Sequence, residues 1–172
     1  PERAVLHFDR MHIPRSLKKS FRKMQDQGIT VTFNQAFDQV INACAQSPRF
    51  DSTGRRQGTW ITDDMKHAYV EFHKLGHAHS VEVWGAPPRG STSRELLRGL
   101  YGVSVDGVFA GESMFHLSPN ASKYALVTLI EKLQAAGATW IDIQVMTPHF
   151  LALGAEEILR AEFLKLLKQT QN

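Results

Sequence analysis

The chain has 172 residues, enough for one domain with a full-sized core. Hydrophobic residues make up 42% and charged residues 22%, an ordinary globular balance, and no apolar run is long enough to span a membrane. A net charge of +3 is compatible with an anionic partner, while a single cysteine, Cys44, excludes an intramolecular disulfide and fits a reducing compartment.

In chain order, residues 1–13 are expected to be extended, and Pro1 to Leu6 has no signal-peptide layout. A helix should follow from Pro14, ending at Gly28, with Leu17, Phe21 and Met24 facing the core. Its other side carries Arg15, Lys18, Lys19, Arg22 and Lys23 with no acid between them. Such a run is either a solvated face or a phosphate-binding surface. A strand over 29–33 leads to Asn34, a candidate cap for a helix carrying Val40, Ile41 and Cys44 on its apolar side. Cys44 therefore reads as core packing. Residues 47–59 read as a loop, and Thr62 as the cap of a helix to Leu75, closed by Gly76.

A strand over 78–84 and a Gly/Pro/Ser-rich connection come next. Asp106-Gly107 then marks a two-residue hairpin between strands over 96–105 and 108–115. Ala121 to Ala136 is a helix with an apolar stripe, followed by a strand from Trp140, a short helix from His149 to Leu153, and a last helix over about 160–168. The order predicts a mixed α/β domain with a strand–helix–strand crossover.

Two strands carry polar groups in apolar surroundings. Alternation puts Ile141, Ile143 and Val145 on one face and Asp142 and Gln144 on the other, side by side. On the strand over 108–115, Glu112 and Met114 share a face, and Gly111 permits close approach to the backbone. If the strands are neighbours, Asp142, Gln144 and Glu112 line one cleft. The plainer alternative pairs each acid with backbone or with a basic side chain. The eight histidines lack accompanying Cys pairs or a His-Glu-x-x-His spacing, so no metal site is assigned. Walker, dinucleotide and Gly-x-Ser-x-Gly motifs are absent.

Ordered motifs across nearly the whole chain resemble the leucyl/phenylalanyl-tRNA–protein transferases: His12 to Leu17, Gly58 to Thr62, Leu75 to Trp84, Gly111 to Phe115, Ala121 to Lys123, Ile141 to Gln144 and Leu153 to Ala155. The resemblance implies a GNAT-like acyltransferase fold with a mostly antiparallel sheet flanked by helices. It implies transfer of Leu, Phe or Met from aminoacyl-tRNA to an N-terminal Arg or Lys of an acceptor protein. That product marks the acceptor for degradation. No cofactor or metal is implied, and the expected protein is a cytoplasmic monomer with no membrane partner.

By that resemblance Gln144, assisted by Asp142, handles the proton of the attacking amine, and Glu112 anchors the acceptor's basic residue. Met114, Leu100, Phe109, Leu126, Leu129, Leu133 and Ile141 match positions in or near the pocket for the transferred side chain. Trp60 matches a position near the terminal adenosine, and the basic helix from Arg15 to Lys23 would contact tRNA. Residues 1–172 are expected to form a single transferase domain, with the family's further N-terminal domain absent from them. Ile143 replaces a cysteine common in the motif, Leu159 replaces a proline, and the Gly85–Arg98 connection is longer than usual. Acceptance of a small molecule in place of a protein, and tRNA binding without transfer, are the alternative activities.

Overall fold

The structure, a computed structural model, describes residues 2–50, 53–116 and 119–171. Strand β1 (Glu2–His7) buries Ala4, Val5 and Leu6, and a single 3-10 turn (Phe8–Arg10) leads out of it. Helix α1 (Arg15–Asp26) buries Leu17, Phe21 and Met24 at the expected spacing, and Gly28 turns the chain at a φ of 77°. Strand β2 (Thr30–Phe33) and helix α2 (Phe37–Gln46) follow, with Cys44 fully buried in α2.

Asn34 does not cap α2. It adopts a φ of 59°, and its Oδ1 accepts the Ser80 N–H at 3.0 Å. The N-cap position is Ala36, whose N–H donates to Oε1 of the buried Glu82 at 3.3 Å. A carboxylate from a neighbouring strand thus does what a local side chain was expected to do, and it suits the positive end of the helix. Ser80 Oγ and Thr32 Oγ1 donate to the same carboxylate at 2.5 and 2.6 Å, which satisfies it away from solvent.

The 47–59 loop contains two short paired strands, β3 (Arg49–Phe50) and β4 (Arg56–Gln57), too brief to leave a periodic signal. Helix α3 (Asp63–Lys74) starts at Thr62, whose Oγ1 accepts the Met65 N–H at 3.3 Å. Strands β5 (Ala78–Trp84), β6 (Leu96–Val105) and β7 (Val108–His116) form a meander. Asp106 and Gly107 close its hairpin, both with positive φ, as a tight primed turn requires. Helix α4 (Pro119–Ala135) crosses to strand β8 (Trp140–Gln144). The short helix α5 (Pro148–Leu151) begins and ends earlier than expected. Strand β9 (Glu156–Leu159) was not expected, because paired glutamates weaken a strand signal. Helix α6 (Arg160–Thr170) ends the fold.

Seven strands form one sheet in the order β2-β5-β6-β7-β8-β1-β9. Every pairing is antiparallel except β7 with β8, the pair joined through α4. Period-two alternation divides the core between the two faces. Leu100, Phe109, Ile141 and Leu6 pack with α1 and α4 on one face. Tyr101 and Phe115 pack with α2 on the other, where Val5, Val108 and Trp140 also meet α6. The architecture is mixed α/β, with a mostly antiparallel sheet covered by helices, as the element order implied.

Candidate active site

The parallel pair of β7 and β8 holds the polar residues. Ala110 lies opposite Asp142 in that ladder. The register of β7 against β6 slips at one point, with Gly111 opposite Gly102 and Ser113 opposite Tyr101. Glu112 is the extra residue of this bulge. Phe109 and Met114 consequently reach the same α4 face although strict alternation would separate them. Glu112 was expected to share a face with Met114. Both line the α4-side cavity, and the bulge also brings Glu112 to the cavity on the other face of the sheet.

The cavity on the α4 face has a volume of about 430 Å³. Leu100, Phe109, Met114, Leu126, Leu129 and Ile141 form its apolar wall, and Trp60 and Gln144 also line it. Leu133 is not part of this wall; it packs against the same core further along α4. Ile143, Val145, Thr147 and Phe150 also line it, and of these Thr147 and Phe150 were not singled out from the sequence. Val145 is 71% exposed and Trp60 39%, so apolar surface is present at the mouth.

Gln144 has a φ of 64°, unusual for a residue with a side chain. The Val145 N–H donates to the Ile143 carbonyl at 2.7 Å and closes a three-residue turn around it. The Gln144 N–H donates to Asp142 Oδ1 at 2.9 Å, and its Nε2 donates to the Gly111 carbonyl at 2.9 Å. Because Gly111 offers an acceptor, the amide nitrogen must face it. Oε1 is then the end of the amide that can accept a hydrogen bond from a bound molecule.

Asp142 and Gln144 do not project side by side as strand alternation predicted, because the positive φ ends the alternation. Asp142 lines the opposite cavity, and its side chain is only 4% exposed. Arg3 Nε approaches both its oxygens at 3.0 and 3.1 Å, and Arg3 Nη2 donates to Oδ2 at 2.7 Å. For Asp142 the plainer expectation holds: it pairs with a basic side chain and a backbone N–H.

That second cavity has a volume of about 640 Å³, between α3, α6 and the sheet. Met65, Phe72, Phe163 and Leu167 supply apolar wall; Arg3, Asp142, Tyr69 and Glu112 supply polar groups. Tyr69 lies beside Glu112 in this cavity. Burial, and then the neighbouring Glu112 charge, push the Tyr69 hydroxyl up to about 12, so it remains protonated. Sequence reasoning missed Tyr69 and Arg3. Arg3 had a readable signal, a lone cation beside the apolar Ala4–Leu6 run, of the kind a buried acid needs. Tyr69 had none, since α3 carries no distinctive polar pattern.

On α1 the side chains of Arg15, Lys18, Lys19, Arg22 and Lys23 are all exposed. The helix packs on α4 through Phe21 and Tyr124, whose ring centroids lie 5.0 Å apart. Among the described residues no group of three or more His, Cys, Asp or Glu could hold a metal ion. His73 stacks on Phe37 at 4.3 Å and donates from Nδ1 to the Ala78 carbonyl at 2.8 Å, while His79 bonds Asn34.

Known structures share this architecture. L-PGS from Bacillus licheniformis superposes with a TM-score of 0.52 at 13% identity, covering 86% of this chain and 46% of that one. A C-terminal DUF2156 domain from Agrobacterium fabrum gives 0.50 at 11% identity, covering 84% and 46%. At such identities the likeness extends to the fold alone.

Residues 5–168 match the family model of leucyl/phenylalanyl-tRNA protein transferase, and the chain belongs to that family. Relatives named leucyl/phenylalanyl-tRNA–protein transferase include one from Pseudoalteromonas atlantica, 46% identical over 97% of this chain and 65% of its own length. Another, from Hydrogenovibrio crunogenus, is 46% identical over 97% of this chain and 60% of its own length. The chain thus spans somewhat less than two thirds of these relatives. Among the described residues no helix is long and apolar enough to cross a membrane.

Proposed function

We propose that this chain forms a peptide bond between the aminoacyl group of a leucyl- or phenylalanyl-tRNA and the N-terminal Arg or Lys of an acceptor protein. The observation that carries this reading is the meeting of two cavities at Glu112, one apolar and bordered by Gln144, the other reached by a carboxylate. The apolar cavity suits the side chain of Leu, Phe or Met, with Met114 as an adaptable wall. Trp60 offers a flat apolar surface for the terminal adenosine, and exposed α1 a positive face for tRNA phosphates. Glu112 would pair with the acceptor's guanidinium or ammonium group from the larger cavity.

The chemistry is undemanding once the reactants are held together. The acceptor's α-amine nitrogen attacks the ester carbonyl carbon, a C–N bond forms, and the bond to the ribose oxygen breaks. One amine proton ends on the ribose hydroxyl. The ester is already activated, so positioning is the main contribution asked of the protein. Gln144 Oε1 would accept an N–H of the attacking amine and aim its lone pair at the ester. An amide is too weak a base to remove that proton outright, so Gln144 orients the amine. Asp142 acts through Gln144 and does not touch substrate.

On this reading the fold is a GNAT-like acyltransferase domain spanning residues 1–172, the product is an N-terminal degradation tag, and the site is cytoplasmic. Incubation with charged leucyl-tRNA and an Arg-initiated peptide tests it. The expected product is the peptide extended by one leucine. Absence of that product, with transfer by a known family member in the same mixture, would overturn it.

A further inference from the structure

We infer that Arg3 is a positioning residue of the transfer centre: its guanidinium fork holds Asp142 in the one orientation that keeps Gln144 turned toward the α4-side cavity. The inference rests on the proposed role of Gln144 and extends it to a residue on another strand.

Gln144 occupies a left-handed conformation that a residue with a side chain rarely adopts. Something must hold it there. One tether is the Asp142 Oδ1 acceptor for the Gln144 N–H; the other is the Gly111 carbonyl. Asp142 sits on β8 where β1 pairs irregularly: Ala4 lies opposite Gln144 and Val5 opposite Asp142, leaving Ile143 unpaired. That irregularity turns the end of β8 and brings Arg3, one residue before Ala4, against Asp142.

Arg3 contacts both carboxylate oxygens, so the Asp142 side chain cannot rotate without breaking a fork-type pair. A lysine would contact as a point charge and leave rotation free. Arg3 is itself braced. Its Cζ lies 5.3 Å from the centre of the Phe163 ring, which meets Trp140 edge-on at 6.0 Å. The order of support is therefore α6, Arg3, Asp142, Gln144. Arg3 lines the 640 Å³ cavity and is 38% exposed, so a small solute can reach its position.

The experiment compares wild type, Arg3→Ala and Arg3→Lys, all checked for folding by near-UV circular dichroism. Arg3→Ala should lower kcat about 30–100-fold, the scale of a misplaced reacting group, with KM for leucyl-tRNA within about twofold. Millimolar guanidinium should restore part of the lost kcat, Arg3→Lys should remain impaired, and the Gln144 amide resonances should shift in Arg3→Ala and return with guanidinium. Unchanged kcat, or a loss that guanidinium does not relieve with Gln144 resonances unmoved, would overturn the inference. If Arg3→Ala fails to fold, Arg3→Lys decides by its kcat and the same resonances. If wild type shows no transfer, the functional reading has failed, and the Gln144 resonances alone still decide whether Arg3 positions it.

Discussion

Tyr69 on α3 lies beside Glu112 at the bulge of β7, where the two cavities meet, close enough for the Glu112 charge to raise the Tyr69 hydroxyl. The phenol is placed to donate to a carboxylate that the bulge leaves outside the regular ladder. Tyr69→Phe should therefore weaken acceptor recognition. The expected result is a KM for an Arg-initiated peptide raised by about 2–10-fold, the net worth of one ordinary hydrogen bond, with KM for leucyl-tRNA unchanged. Steady-state kinetics with each substrate varied in turn checks it.

The same tyrosine predicts an alkaline signature. Its folded-state value is raised above the unfolded value near 10 to about 12. A raised value contributes stability that is fully present below pH 10 and is lost as pH climbs through 12. The denaturation midpoint of wild type relative to Tyr69→Phe should therefore be constant below pH 10 and fall between pH 10 and 12. Phenolate absorbance of the native protein should show one tyrosine titrating late.

Two glycines that meet at the bulge should respond in opposite ways. A Cβ on Gly102 would collide with the Ala110 carbonyl and the Phe109 ring. On Gly111 it would meet only the Asp142 carbonyl, at an ordinary 3.7 Å. Gly102→Ala should cost about 1–3 kcal/mol in urea unfolding, and Gly111→Ala should fall within about 0.5 kcal/mol of wild type.

Arg98 is 1% exposed, yet its described partner is only the Ser122 hydroxyl, accepting from Nη1. Among the described residues Nε and Nη2 have no hydrogen-bond partner. Burial pulls this guanidinium down to about 10, a mark of how poorly the charge is accommodated. Arg98→Met should stabilise the protein, raising Tm by about 2–4 °C for each kcal/mol recovered. Calorimetry at neutral pH checks the sign.

Much of this architecture could be read from residue patterns because local signals agreed with the fold. The Asp106-Gly107 turn, the Thr62 cap and the stripes of α1 and α4 needed no tertiary information. The failures have one cause, a contact from far along the chain replacing a local preference. Glu82 displaced Asn34 as the cap of α2, and β9 forms because β1 offers it an edge. At the site, Glu112 and Gln144 were named from strand patterns and most of the apolar wall from the family resemblance, but alternation wrongly set Asp142 beside Gln144. A bulge and a positive φ are backbone irregularities that period-two reasoning cannot detect. The lone cation Arg3 could be noticed beside its apolar run, but not its partner, which lies 139 residues away.

In the proposed reaction Glu112 selects the incoming basic residue while Gln144 aims its amine. The most direct measurement is the rate of leucine transfer to Arg-initiated and Ala-initiated peptides by wild type and by Glu112→Gln. Wild type should prefer the Arg peptide, by about 10–100-fold for one charge-assisted pair, and Glu112→Gln should lose that preference while still transferring to the Ala peptide. An undiminished preference in Glu112→Gln would contradict the account.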